Sequence, residues 1–192
     1  MFEGLDGSGL STQAEMLKKY LTGIGKTVVP TKEQTDGLIG GLIKSNLRHE
    51  WKTNPLALQM LFAADRAHHI ESQIKPALEQ GKIVISDRYV MSSLAFGSME
   101  ADIEFLKIIN SRFIKPDVTF IIDTPPKICL QRVMETRFHA ELFEEEDKFN
   151  QVRENYMKVK PYYPNTFVID GDGNRTKEEV FEDIKKIIDK ML

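Results

Sequence analysis

Nearly continuous apolar runs alternate along the chain with stretches in which apolar residues recur every three to four positions. Lys82 to Ser86 (KIVIS), Asp117 to Ile122 (DVTFII) and Thr166 to Ile169 (TFVI) have the pattern of strands covered on both faces, and Thr27 to Val29 is a shorter candidate. Between them, Ala14, Leu17 and Leu21 keep helical spacing. Asn54-Pro55 supplies a capping side chain and a proline at the first helical position for a long helix running toward Gln80, which Gly81 ends. This order predicts parallel strands joined by crossover helices. Only Met1, Phe2 and Glu3 precede a glycine-rich turn, whereas a strand usually has about five residues. The first strand is therefore very short, or the chain starts late.

The 192 residues suit one α/β domain spanning 1–192, and no repeat or low-complexity linker divides them. A formal net charge of −3 gives no general basic surface for a nucleic-acid backbone. It does not exclude a free nucleotide, because converging arginines can hold a phosphate inside a cleft. The single cysteine, Cys129, lies in an apolar stretch and reads as a small buried side chain. His49, His68, His69 and His139 have no metal-cage spacing and read as surface or core residues. No run approaches the ~20 apolar residues of a membrane span and no signal peptide is visible, so a cytoplasmic location is expected. The acidic run Glu144 to Asp147 reads as a solvated helix face, or else as an acidic rim over a nucleotide cleft.

Gly4-Leu5-Asp6-Gly7-Ser8-Gly9-Leu10-Ser11-Thr12 fits the phosphate loop G-x-x-x-x-G-K-[ST] at every position except the lysine, which is Leu10 here. Its glycines let backbone N–H groups turn toward phosphate oxygens, the following helix adds its positive N-terminal end, and Ser11 can reach Mg²⁺. Phe62 and Arg66, four apart on a helix, share a face suited to a nucleotide lying along it, with the ring on the base and the guanidinium on the monophosphate or base edge. Asp87 and Arg88 follow directly on a strand, where ligands of open parallel sheets collect.

Phe2-Glu3-Gly4-Leu5-Asp6-Gly7-Ser8-Gly9 followed by Ser11-Thr12-Gln13 resembles the opening motif of thymidylate kinases. The resemblance continues through Leu61-Phe62-Ala63-Ala64-Asp65-Arg66, Ser86-Asp87-Arg88-Tyr89 with Ser92-Ser93-Leu94-Ala95-Phe96, and Pro116 to Asp123. Glu141-Leu142-Phe143-Glu144, Arg153-Glu154-Asn155-Tyr156 and Val168-Ile169-Asp170 extend it over nearly the whole chain. It implies a three-layer P-loop kinase fold of about five parallel strands covered by helices on both faces, with a lid at about 137–148. It also implies phosphoryl transfer from ATP to dTMP and a homodimer.

On this resemblance Asp87 binds Mg²⁺ directly or through water, and Arg88 neutralises the acceptor phosphate. Phe62 and Arg66 hold dTMP, Tyr89 sits against the sugar and disfavours a 2′-hydroxyl, Ser92 and Ser93 face the thymine edge, and Asp6 lies near the 3′-hydroxyl. Phe96 belongs to the same dTMP pocket. Arg132 lies along adenine, and Arg137 approaches the transferred group from the lid. Many members have Arg-Glu-Pro where this chain has Lys32-Glu33-Gln34, and many bacterial ones have Tyr-Gln where it has Phe96-Gly97. Lys32 keeps a positive charge toward dTMP but loses the planar fork of arginine. Glu33 assists the metal, with surface exposure as the alternative. Two rival readings are a kinase of another nucleoside monophosphate or a deoxynucleoside, and a non-catalytic ATP-binding regulator, the latter motivated by Leu10.

Overall fold

Five short strands form one parallel sheet in the order β2-β3-β1-β4-β5. They are β1 (Phe2–Gly4), β2 (Val28–Lys32), β3 (Ile83–Asp87), β4 (Thr119–Asp123) and β5 (Thr166–Asp170). This computed structural model describes residues 1–135 and 142–192, with side chains from residue 146 onward in the second stretch. β1 has three residues yet stands at the centre, because Phe2 is fully buried and the strand pairs with β3 on one side and β4 on the other. β2 runs three residues past the predicted end, through Pro30 to Lys32. Proline is tolerated there because β2 is an edge strand, paired only with β3.

Alternation along the strands builds a core on each face. Phe2, Ile85, Phe120, Ile122 and Ile169 pack with helices α1 (Leu10–Gly23) and α9 (Lys177–Ile188). On the other face, Ile121 and Val84 pack with α5 (Val90–Gly97) and α8 (Leu142–Val159). The remaining helices are α2 (Leu38–Leu47), α3 (Pro55–His69), α4 (Lys75–Glu79), α6 (Ile103–Asn110) and α7 (Pro126–Met134).

The long helix begins as expected, with the Asn54 side chain accepting from the Ala57 N–H at 2.8 Å. It is broken by a π-helical turn, Ile70–Ile74, between α3 and α4. Gly81 follows α4 at φ 69°, the left-handed conformation that closes a helix. The register brings Lys32, Asp87, Gly4, Asp123 and Asp170 to one edge of the sheet. That carboxyl edge carries the loops of the site.

Candidate active site

The turn from β1 into α1 lines a cavity of about 500 Å³. A side chain is excluded at two of its glycines: a Cβ on Gly4 would stand 2.8 Å from the Ile122 carbonyl oxygen, and one on Gly7 would stand 2.5 Å from that of Cys129. Gly7 also has φ 80°. Gly9 caps α1 without a side chain, so the N–H groups of the first turn face the cavity as an anion site. Leu5, Asp6, Ser8, Ser11 and Thr12 share its wall. Leu10 is buried and belongs to the apolar cluster of Phe2, Leu17 and Ile122. The Leu10 side chain is therefore held by core packing and offers the phosphates no donor.

Ser11 Oγ donates to Asp87 at 2.5 Å, which joins the loop to the end of β3. Arg88 follows with φ 70°, a conformation that arginine seldom adopts. Its guanidinium donates to the Gly4 carbonyl at 2.8 Å, Ser92 Oγ at 3.1 Å, Tyr156 Oη at 3.3 Å and Asp6 at 2.6 Å. It also lies 5.2 Å above the centre of the Phe96 ring. Burial works against this charge, but Tyr156, Asp6, Glu3 and Asp87 outweigh it and hold the Arg88 pKa above its ordinary value.

Behind Arg88, the buried Glu3 accepts from the Tyr89 N–H at 2.9 Å, Ser92 at 2.5 Å and Tyr156 at 3.2 Å. Burial raises the Glu3 pKa, and Ser92, Arg88 and Arg66 counter it only in part. Glu3 and Tyr156 carried no role in the sequence reading. They are 153 residues apart, and no local spacing connects them.

Arg66 is 1 % exposed and wholly engaged. It donates to Glu33 at 2.8 Å, Ser93 Oγ at 3.0 Å, the Tyr89 carbonyl at 3.1 Å and the Asn110 side chain. Its carbon centre lies 5.1 Å from the Tyr89 ring centre. So engaged, the Arg66 guanidinium has neither an exposed fork for a monophosphate nor a free edge for a base.

Glu33 is buried, not exposed at the surface, and its two oxygens are taken by Arg66 at 2.7 Å and by His69 at 3.0 Å. His69 in turn bonds Thr31 at 2.6 Å. Its neighbour on the same face, Asp65, accepts from the Thr35 N–H and hydroxyl at 2.8 and 2.7 Å and fixes the loop after β2.

Tyr89 is buried, Ser93 is bound to Arg66, and Phe62 is half-buried on the α3 face that carries Arg66. Lys32 pairs with Asp36 at 3.4 Å and lines a second cavity beside Ser11 and Asp87 rather than joining Arg88. Arg132 also lines the first cavity and donates to the Gly7 carbonyl at 3.1 Å; Gly171, Arg175, Lys177 and Val180 share that lining. Cys129 is buried, with its thiol pushed up to about 12 by burial. Arg137 and the first part of the lid lie outside the described residues, whereas the acidic run falls within α8. No helix among the described residues is long and apolar enough to cross a membrane.

Residues 2–184 match the sequence profile of a family described as Thymidylate kinase. The chain is 37% identical to a "Probable thymidylate kinase" of Thermococcus kodakarensis, with all of this chain and 97% of that protein covered. It is 36% identical to a thymidylate kinase of Thermosipho melanesiensis, with 100% and 97% covered. The crystal structure of thymidylate kinase from Ehrlichia chaffeensis superposes with a TM-score of 0.77 at 26% identity, covering 97% of this chain and 96% of that one.

Proposed function

The chain belongs to the thymidylate kinase family, and on that premise we propose how its own residues divide the work of moving the γ-phosphoryl group of ATP onto dTMP. The observation that carries the reading is the convergence of the phosphate loop, Asp87 and Arg88 on one cavity. An oxygen of the dTMP phosphate bonds to the γ-phosphorus while the bond to the β,γ-bridging oxygen breaks, giving dTDP and ADP. No general base is needed, because the acceptor phosphate is already an anion.

The α1 N-terminus and the loop N–H groups hold the donor phosphates. Arg88, preorganised by Asp6, Gly4, Ser92 and Tyr156, neutralises the acceptor so that two anions can approach. Phe62 addresses the face of the base, Arg66 and Ser93, bound to each other, form the buried wall behind the pocket, and Phe96 supports Arg88 from below. Tyr89 closes the sugar side. Arg132 lies along adenine.

The Ser11 hydroxyl and Asp87 carboxylate, 2.5 Å apart on the cavity wall, are hard oxygen donors that suit Mg²⁺ with its remaining positions on phosphate and water. When bound, the ion adds charge neutralisation at the donor phosphates. Chelation is expected to abolish turnover and added Mg²⁺ to restore it. Turnover that persists under chelation would contradict this assignment.

The base pocket suits a deoxypyrimidine monophosphate. We expect kcat/KM for dTMP to exceed that for UMP by at least ~10²-fold, about 2.7 kcal/mol. Comparing dTMP, dUMP, UMP and thymidine in a coupled ADP-release assay tests this. Equal efficiency with UMP would remove the thymidylate assignment and leave a P-loop kinase of other specificity.

A second copy of this chain is the partner that fits α3. Leu56, Met60, Ala64 and Ala67 form an exposed apolar stripe along it, at spacings where a solvated helix carries charge. Sedimentation should show a dimer at micromolar concentration and a monomer for Met60→Glu. A monomeric unmodified chain would count against it.

A further inference from the structure

We propose that Glu3 is a positioning residue for phosphoryl transfer: its carboxylate orders the Ser92 and Tyr156 hydroxyls so that both offer lone pairs to Arg88. This role rests on the assignment of Arg88 to the acceptor phosphate and adds the group that sets the arginine's hydrogen bonds.

Alternation along β1 turns Phe2 toward α1 and α9, and therefore Glu3 toward α5 and α8. That face is the apolar cluster of Met91, Leu94, Val152 and Tyr156, in which Glu3 is 1 % exposed. A carboxylate buried there is costly unless its oxygens are satisfied. The two oxygens have different partners. Oε1 accepts from the Tyr89 N–H at 2.9 Å. This bond closes the turn that holds Arg88 at φ 70°, together with the Arg88 N–H on the Phe2 carbonyl at 2.9 Å and the Ser86 hydroxyl on the Arg88 carbonyl at 2.8 Å. Oε2 accepts from the hydroxyls of Ser92 at 2.5 Å and Tyr156 at 3.2 Å.

The direction of the Oε2 bonds matters because Arg88 donates to the same two hydroxyl oxygens, at 3.1 and 3.3 Å. A guanidinium only donates, so Ser92 and Tyr156 must point their hydrogens elsewhere. Each has one hydrogen to place. Ser92 gives it to Glu3, and Tyr156 has Glu3, the Gly4 carbonyl at 3.1 Å and Ser92 Oγ at 2.9 Å as acceptors. Buried behind Arg88, Glu3 acts on the acceptor phosphate only through that arginine.

Glu3→Gln isolates the effect. The Tyr89 N–H still needs an acceptor, so the amide oxygen takes the Oε1 position and the NH₂ group faces Ser92 and Tyr156. The turn keeps its bond and the core its volume. The two hydroxyls lose the acceptor that drew their hydrogens away from Arg88.

Steady-state kinetics on the full chain, with dTMP varied at saturating ATP, tests the proposal. Glu3→Gln should lower kcat about tenfold or more, with the KM for dTMP within about twofold of the unchanged chain. Added to Arg88→Ala, it should cost less than about a further twofold, because the group it acts through is gone. A purely structural carboxylate would instead lower the unfolding temperature and leave kcat per folded molecule unchanged. That result overturns the proposal, as does the full tenfold loss in the Arg88→Ala background.

Should Glu3→Gln not fold, Tyr156→Phe removes one of the two hydroxyls and keeps the ring. It should lower kcat about threefold or more in the unchanged chain and less than about twofold in Arg88→Ala. Equal losses in both backgrounds, or none in the unchanged chain, would overturn the proposal. If Arg88→Ala leaves kcat intact, the assignment of Arg88 fails and the role of Glu3 with it. If Arg88→Ala slows transfer and Glu3→Gln does not, only the role of Glu3 is rejected.

Discussion

Arg88→Ala is expected to lower kcat by roughly 10²- to 10³-fold, with a much smaller change in the KM for dTMP. The residue sits beyond the carboxyl end of β3 in a left-handed conformation, and four groups from three parts of the chain hold its guanidinium. Preorganisation of this kind is most valuable where charge crowds as two phosphates approach, so its loss should appear in the chemical step. Arg88→Lys should recover little, because an ammonium cannot reproduce a fork fixed simultaneously on Asp6 and the Gly4 carbonyl. Steady-state kinetics on variants with unchanged thermal unfolding checks this. A rise in the KM for dTMP alone would make Arg88 a uniform binding contact and contradict the role given to it.

A loss of similar size is expected at Arg137. Leu10 is packed in the core and cannot counter charge on the donor phosphates; losing one preorganised donor typically costs about 2.7–4 kcal/mol of barrier. The described cations of the cavity have other partners, Lys177 lying 3.9 Å from Glu178. Arg88 is held on Asp6, Arg132 on the Gly7 carbonyl, and Arg175 on Asp183. Lys32 pairs with Asp36.

We therefore propose Arg137 as the compensating charge, in the manner of an arginine supplied in cis in other phosphoryl-transfer enzymes. Arg137→Ala should lower kcat by roughly 10²-fold or more, with little change in dTMP affinity. Leu10→Lys placed in that variant should restore part of the rate. A fall of less than about threefold would show that the lid does not compensate.

The fold was legible wherever burial dictated composition. β3 and β4 are apolar runs because helices cover them, whereas β5, read from its sequence as covered on both faces, is an edge strand whose Phe167 and Val168 are exposed; the Asn54-Pro55 cap and Gly81 stop mark real helix ends. β2 was underestimated because an edge strand can carry Pro30, Thr31 and Lys32, which look like loop residues. The π-helical turn at Ile70–Ile74 left no mark in the helical spacing.

In the site, Asp87 and Arg88 were readable from their place after a strand. The partners of Arg66 were not: Glu33, Ser93 and Asn110 come from three separate segments and meet only in the folded chain. His69 had one local signal, since it follows Arg66 by three residues on the same helical face. Leu10 was visible as a departure from the phosphate-loop pattern, but only its burial beside Phe2 and Ile122 shows what holds it there.

Phosphate transfer to dTMP with leucine in place of the phosphate-loop lysine is tested most directly by following radiolabel from γ-labelled ATP in the unmodified protein with dTMP and Mg²⁺. Labelled dTDP should form catalytically, with one ADP released for each dTDP. Measurable ATP binding without labelled dTDP above the protein-free control would contradict it.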